Sequence, residues 1–195
     1  LLAGAARADP RLGEPWEDAI EAGIDRQRQE LDRGVTPAAL LRQAELQAAR
    51  RTEGPERVAR LYLLARAYAQ VGDRRSAIST YQEVLRVAPR CYFVHRDFAI
   101  LALEQDPPDR RSAEQYLRQA IAIHPRYLSA LRNLAQLMFD DGRVTDSIPV
   151  LERVVSLSPA DLQARFLLAK ALLQDAQQEA GPQKEAKLEK AERAI

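Results

Sequence analysis

The sequence predicts an all-α protein: a solenoid of antiparallel helix pairs. Three observations lead there. The string Asp-Arg-Arg-Ser-Ala occurs at 73–77 and again at 109–113, with Pro89 and Pro125 each twelve residues beyond its alanine, and Pro159 follows Ser147 by the same interval. The steps between Ala77, Ala113 and Ser147 are 36 and 34 residues, and self-similarity at that period marks stacked units rather than one folded-back core. Within each unit, apolar residues recur twice over at the spacing of a helix face, with glycine or proline between the two runs. Finally, 46% hydrophobic and 29% charged residues suit a folded chain, and no run of 18 apolar residues is present to span a membrane as a helix.

Composition also narrows the chemistry. One cysteine, Cys91, excludes a disulfide framework, and His95 and His124 are the only histidines. Cys91 and His95 stand four apart at the start of a helix, but two ligands are too few for zinc. Cys91 is expected to pack in a turn between units. His124, before Pro125, sits at a helix end, where a cation complements the dipole. Glycines stand singly, so no phosphate-cradling loop exists, and no nucleophile–base set can be named. The expectation is no enzyme, no cofactor and no metal. With 29 basic and 28 acidic residues the net charge is +1, which gives no field for nucleic acid. Lysine is confined to Lys170, Lys184, Lys187 and Lys190, and the remaining basic residues are arginines. With abundant alanine, this suggests a GC-rich bacterial source.

Residues 1–14 read as a linker or the remnant of a signal peptide, since an apolar run leads to Ala6-Arg7-Ala8. Cytoplasmic and exported locations both stay open. Absence of an initial methionine and a helical pattern at residue 195 suggest a piece of a longer protein. In 15–54 two helices are expected as a cap or degenerate repeat. The first carries Trp16, Ala19, Ile20 and Ile24 and ends at Gly34; it is expected to be a loosely docked connector. The second starts at Thr36-Pro37, an N-cap followed by proline in the first turn. It bears Leu40, Leu41, Ala44 and Ala48, is closed by Gly54-Pro55, and is expected to cover the flank of the first repeat.

The repeats then follow at 58–91, 92–127 and 128–161. The first sets Leu61, Leu64, Ala65 and Tyr68 on one helix. Gly72-Asp73 breaks it, and Ala77, Tyr81, Val84 and Leu85 line the next helix before Pro89. Tyr81 is expected to plug the join to the second repeat. The second has Phe98, Ala99 and Ala102, a turn lengthened by Pro107-Pro108, then Ala113, Leu117 and Ala120. The third has Leu131, Leu134, Ala135 and Met138, a break at Gly142, then Ser147, Leu151 and Val154. Helix pairs are predicted at 58–70 with 74–88, 92–105 with 110–124, and 128–141 with 145–158. A partial or extended fourth unit or C-terminal cap occupies 162–195. Its first helix bears Leu168, Ala169 and Leu172 and is expected to run through Ala180 to a break at Gly181-Pro182. The helix from about Gln183 is either the displaced second helix of a repeat or a charged capping helix.

These motifs resemble the tetratricopeptide repeat (TPR). Leu61-x2-Leu64-Ala65-x2-Tyr68, Ala77-x3-Tyr81 and Pro89 follow the family pattern at every step. His95, Ala102 and Ser147 depart from it. The resemblance implies a right-handed superhelix whose first helices line a concave groove that binds a peptide or partner protein. On the exposed side of those helices lie Tyr62, Arg66 and Ala69; Phe93, Arg96, Ile100 and Leu103; Arg132, Gln136 and Phe139; and Gln163, Phe166, Lys170 and Leu173. One cation and one aromatic per step suit a partner with acidic and apolar residues, with Arg96 and Arg132 as the central cations. Alternatively the arginines pair with Asp97, Glu104 and Asp140 and solvate the surface. Members of the family that hold chaperone tails use a lysine and an asparagine on one first helix, an asparagine on the next, and a lysine and an arginine on the third. Tyr62, Arg66, Asp97, Ser129 and Asn133 stand there instead. Shifting by one repeat matches Asn133 alone, with Arg96 a loose substitute, so no carboxylate clamp is expected.

The function predicted is a non-catalytic interaction scaffold within a larger bacterial protein. The alternative is a structural spacer attached to an upstream enzyme or c-type haem domain. DPRLGEPWEDAI resembles segments that join such haem domains to repeats, although no haem attachment motif is present.

Overall fold

The computed structural model describes residues 14–50, 53–177 and 182–194. The predicted linker or leader thus lies, but for Glu14, outside the described residues. Among these are ten α-helices and no β-strand. They form two compact units, one within 1–91 and one within 92–195.

The first unit holds α1 (Glu17–Asp32), α2 (Pro37–Ala48), α3 (Pro55–Gln70) and α4 (Arg74–Val87). Helices α3 and α4 form the first pair. Proline is favourable in a first helical turn because it has no N–H to leave unpaired. Pro55 therefore opens α3, three residues before the predicted start, instead of closing the preceding segment. Gly72 ends the helix at φ 80°, and the Asp73 N–H donates to Tyr68 O across the turn at 2.9 Å. Asp73 then caps α4 by accepting from the Ser76 N–H at 3.0 Å. That bond holds its carboxyl below the usual range. The fully buried Ala65 and Ala77 let the two helices approach, and Tyr81 is buried against Tyr62, ring centroids 5.9 Å apart.

Helix α2 covers α3, as expected, and starts with Thr36 accepting from the Ala39 N–H. Helix α1 is not the loose connector that its sequence suggests. It scarcely touches α2 and packs mainly on α3. Trp16, Ile20, Gly23 and Gln27 are buried, and Gln27 Nε2 donates to Leu63 O at 3.1 Å. Gly23 allows this approach: a Cβ there would meet Leu63 Cδ1 at 2.3 Å.

The second unit holds α5 (Tyr92–Leu103), α6 (Arg110–Ile123), α7 (Leu128–Asp140), α8 (Val144–Leu157), α9 (Leu162–Ala176) and α10 (Pro182–Ala194), each packed on the next. Asp109 repeats the cap of Asp73, accepting from Ser112 N–H. Gly142, at φ 76°, repeats the turn of Gly72. Ser147 replaces the small apolar residue between α7 and α8. It is fully buried and its hydroxyl donates to Val144 O at 2.7 Å, so its polarity is satisfied locally. The core is continuous from Ala135, Val144 and Leu151 through Leu168, Ala169 and Leu172 to Ala191 and Ala194.

Helix α9 ends at Ala176, short of the expected Ala180, and 178–181 lie outside the described residues. Its buried Asp175 accepts from the Thr145 hydroxyl at 2.7 Å and from Lys187 at 2.5 Å. Lys187, then Thr145, holds that carboxyl below its ordinary range. Lys190 pairs with Glu152, and Arg165 Nε donates to Ala194 O at 2.9 Å. Helix α10 is thus fastened to α8 and α9 by charge as well as by small apolar residues.

Candidate peptide-binding face

The residues expected on the first-helix face divide into three groups. Tyr62 and Phe93 are corrected outright: both are buried. Tyr62 turns onto Tyr81, and Phe93 stacks on Tyr92 at 4.5 Å and meets the edge of Tyr127 at 5.3 Å. Large aromatic rings gain most when fully covered, and each has an aromatic partner close by. Neither can touch a ligand without repacking its unit. Arg66 in the first unit is half-buried.

A second group is committed inside its own unit. Arg96 lies 2.8 Å from the buried Asp97, and its Nε donates to Tyr127 Oη at 3.3 Å. Burial raises the Tyr127 phenol above its ordinary range, so it stays neutral and accepts that bond. Arg132 pairs with Asp161, not with Asp140. Asp161 in turn caps α9 by accepting from the Ala164 N–H at 3.1 Å. Gln136 donates to Asp140 at 2.8 Å. These two arginines, placed at the centre of the predicted groove, therefore already hold carboxylates. Ile100, four residues after Arg96 on α5, is half-buried.

The third group faces outward on α9. Phe166 is 69% exposed, Leu173 42%, and Leu162, at the start of the helix, 71%. Steps of four, four and three residues place Leu162, Phe166, Lys170 and Leu173 along one face. Lys170 Nζ stands 5.0 Å from the centroid of the Phe139 ring on α7, within cation–π range. Among the described residues Lys170 has no carboxylate at ion-pair distance. Helical spacing alone could have found Leu162, which lies one turn before Phe166.

The cysteine and the two histidines lie outside this face. Cys91 is buried and forms no disulfide, in the turn before α5. His95 is lowered below its usual pKa by burial, which outweighs a hydrogen bond with Gln119. His124 caps α6 and packs against the Tyr92 ring at 4.5 Å. Among the described residues no three of His, Cys, Asp or Glu group as a metal site, and no helix is long and apolar enough to cross a membrane.

Known proteins share this architecture. A curated relative, Protein O-mannosyl-transferase Tmtc3 of Drosophila melanogaster, is 30% identical over 95 residues. That match takes in 49% of this chain but spans 10% of the relative's length. Among solved structures, MamA superposes with a TM-score of 0.60 at 17% identity, covering 85% of this chain and 92% of MamA. The first TPR of Spaghetti (RPAP3), bound to the HSP90 peptide SRMEEVD, superposes with a TM-score of 0.54 at 20% identity, covering 63% of this chain and 96% of that one. At such identities these structures show the fold. Sequence profiles described as tetratricopeptide repeat match residues 61–91, 108–161 and 139–192, together more than half of the 195 residues. With helix pairs closed by small residues at Ala65/Ala77, Ala99/Ala113 and Ala135/Ser147, the chain belongs to the tetratricopeptide repeat family.

Proposed function

We propose that this chain is a non-catalytic interaction module, and that the first-helix face of its second unit receives a segment of a partner protein. One observation carries the reading: Leu162, Phe166 and Leu173 stay exposed around Lys170 in a chain that buries its other large rings or half-covers them. Apolar side chains that share an exposed face mark interaction surfaces. A partner with acidic and apolar residues suits the charge and the rings. Binding of an HSP90 peptide by the RPAP3 domain supports peptide capture as a use of this architecture. It does not extend to a carboxylate clamp, because Tyr62 is buried and Arg96 is held by Asp97.

The spacer reading keeps one point in its favour: Arg96 and Arg132 are satisfied internally. The test is capture of native partners by the intact protein, repeated with Phe166→Ser. Loss of a wild-type partner with the variant supports the module. Identical partners, or none, favour the spacer attached to another domain.

A further inference from the structure

The chemistry of the α9 face fixes more than its use, and the following rests on the peptide-binding reading above. From Leu162 to Phe166 and from Phe166 to Lys170 is one helical turn each, about 6 Å of axial rise. An extended chain repeats side chains on one face every ~6.6 Å. The two spacings agree closely enough for three consecutive same-side residues of an extended segment to stand over Leu162, Phe166 and Lys170. We infer that the ligand is an extended peptide reading apolar–x–apolar–x–acid, its carboxylate on Lys170 and its two apolar side chains on Phe166 and Leu162.

Three features of the face support this ligand. The charge is complementary: Arg96 and Arg132 hold Asp97 and Asp161, while Lys170 faces no carboxylate among the described residues. The Phe139 ring beneath its ammonium holds the cation at a fixed place without neutralising it. The backbone of an extended segment, unlike that of a helix, needs partners for its own N–H and C=O groups. Gln163 and Gln174 are exposed on α9, and each side-chain amide offers both a donor and an acceptor. Leu173, three residues beyond Lys170, gives apolar cover to one side of the ion pair, which strengthens it by excluding water.

The experiment pans a random-peptide phage library against the full chain on beads, then measures the enriched clones as synthetic peptides. The expected result is enrichment of apolar–x–apolar–x–Asp/Glu. Lys170→Glu should weaken those peptides at least about tenfold and, panned itself, should select Lys or Arg at the same place. Arg111→Glu, exposed on α6, should leave affinity within about twofold. Circular dichroism of each variant separates loss of binding from loss of fold. Clones with an i, i+4 helical pattern, clones without an acid, or clones that bind Lys170→Glu equally would overturn this inference while leaving the peptide-binding module intact. No enrichment over bare beads would overturn both. A dimer in sedimentation that Phe166→Ser dissociates would assign the stripe to a second copy of the chain and overturn the inference as well.

Discussion

Tyr62 on α3 and Phe166 on α9 occupy the same place in their repeats, three residues before the small alanine of the first helix, although α3 starts seven residues before Tyr62 and α9 four before Phe166. Tyr62 is 0% exposed and Phe166 is 69% exposed. The local sequence does not account for this, since Ala65 and Ala169 are both buried behind them. The surroundings do. In the first unit α1 packs along α3, and Tyr81 offers a ring to Tyr62. In the second unit the α9 face has beside it Phe139, whose ring is already under Lys170. The repeat frame determines where a side chain points. Whether it becomes core or contact surface depends on what packs alongside.

The comparison sharpens when each ring is removed. Tyr62→Ala and Tyr81→Ala should each destabilise the protein by about 3–5 kcal/mol, the usual cost of emptying a buried aromatic site. Phe166→Ala should stay within about 0.5 kcal/mol, as at other surface positions. Urea unfolding measures all three, and a Phe166→Ala loss as large as that of Tyr62→Ala would erase the distinction. Arg96→Ala comes next: it removes the cation beside the buried Asp97 and should cost about 3 kcal/mol, so any change in its ligand binding must be read beside its melting curve. Gly23→Val should cost about 1–3 kcal/mol by overpacking against Leu63. Faster amide exchange should then appear in α1 and not in α9.

The smallest effect is a dependence on pH. The Asp175 carboxyl is lowered in the folded state, so it binds its proton less readily there than in the unfolded chain. Its stabilisation is therefore complete above the unfolded value near ~4 and is lost as pH falls through the lowered folded value. Asp175→Asn should flatten that acid limb while leaving the curve between about pH 6 and 8 parallel to the wild type. An unchanged limb would mean that Lys187 and Thr145 do not hold the carboxylate in solution.

The helix pairs were legible because their signals are local. Gly72 and Gly142 end helices, Asp73 and Asp109 start them, and small residues recur where helices cross. The candidate face was legible only in part. Helical spacing placed Phe166 and Lys170 on one side of α9, but nothing near Tyr62 in sequence shows that α1 will pack on α3. Gly23 reads as one more isolated glycine until Leu63 is seen beside it. Arg96 and Asp97 are adjacent, and adjacent helical residues do not ordinarily face each other, so their ion pair was a weaker inference than one a full turn apart. Arg132 meets Asp161, 29 positions away, an acid that no local spacing connects to it.

The fastening of α10 has a consequence for timing. Ala191 and Ala194 bury little apolar area, and the remaining ties run through Lys187–Asp175, Lys190–Glu152 and Arg165 to Ala194 O. Salt shortens the reach of the exposed members of that set: the Debye length falls from about 10 Å at 0.1 M to about 3 Å at 1 M. Helix α10 should therefore open and reclose on its own clock, faster in brine than in dilute buffer, while the aromatic-filled α3–α4 pair, joined by an exposed ion pair between Arg57 and Glu83, should change less. Residues Leu168 to Leu172 would then be wetted intermittently, for a fraction of time set by ionic strength.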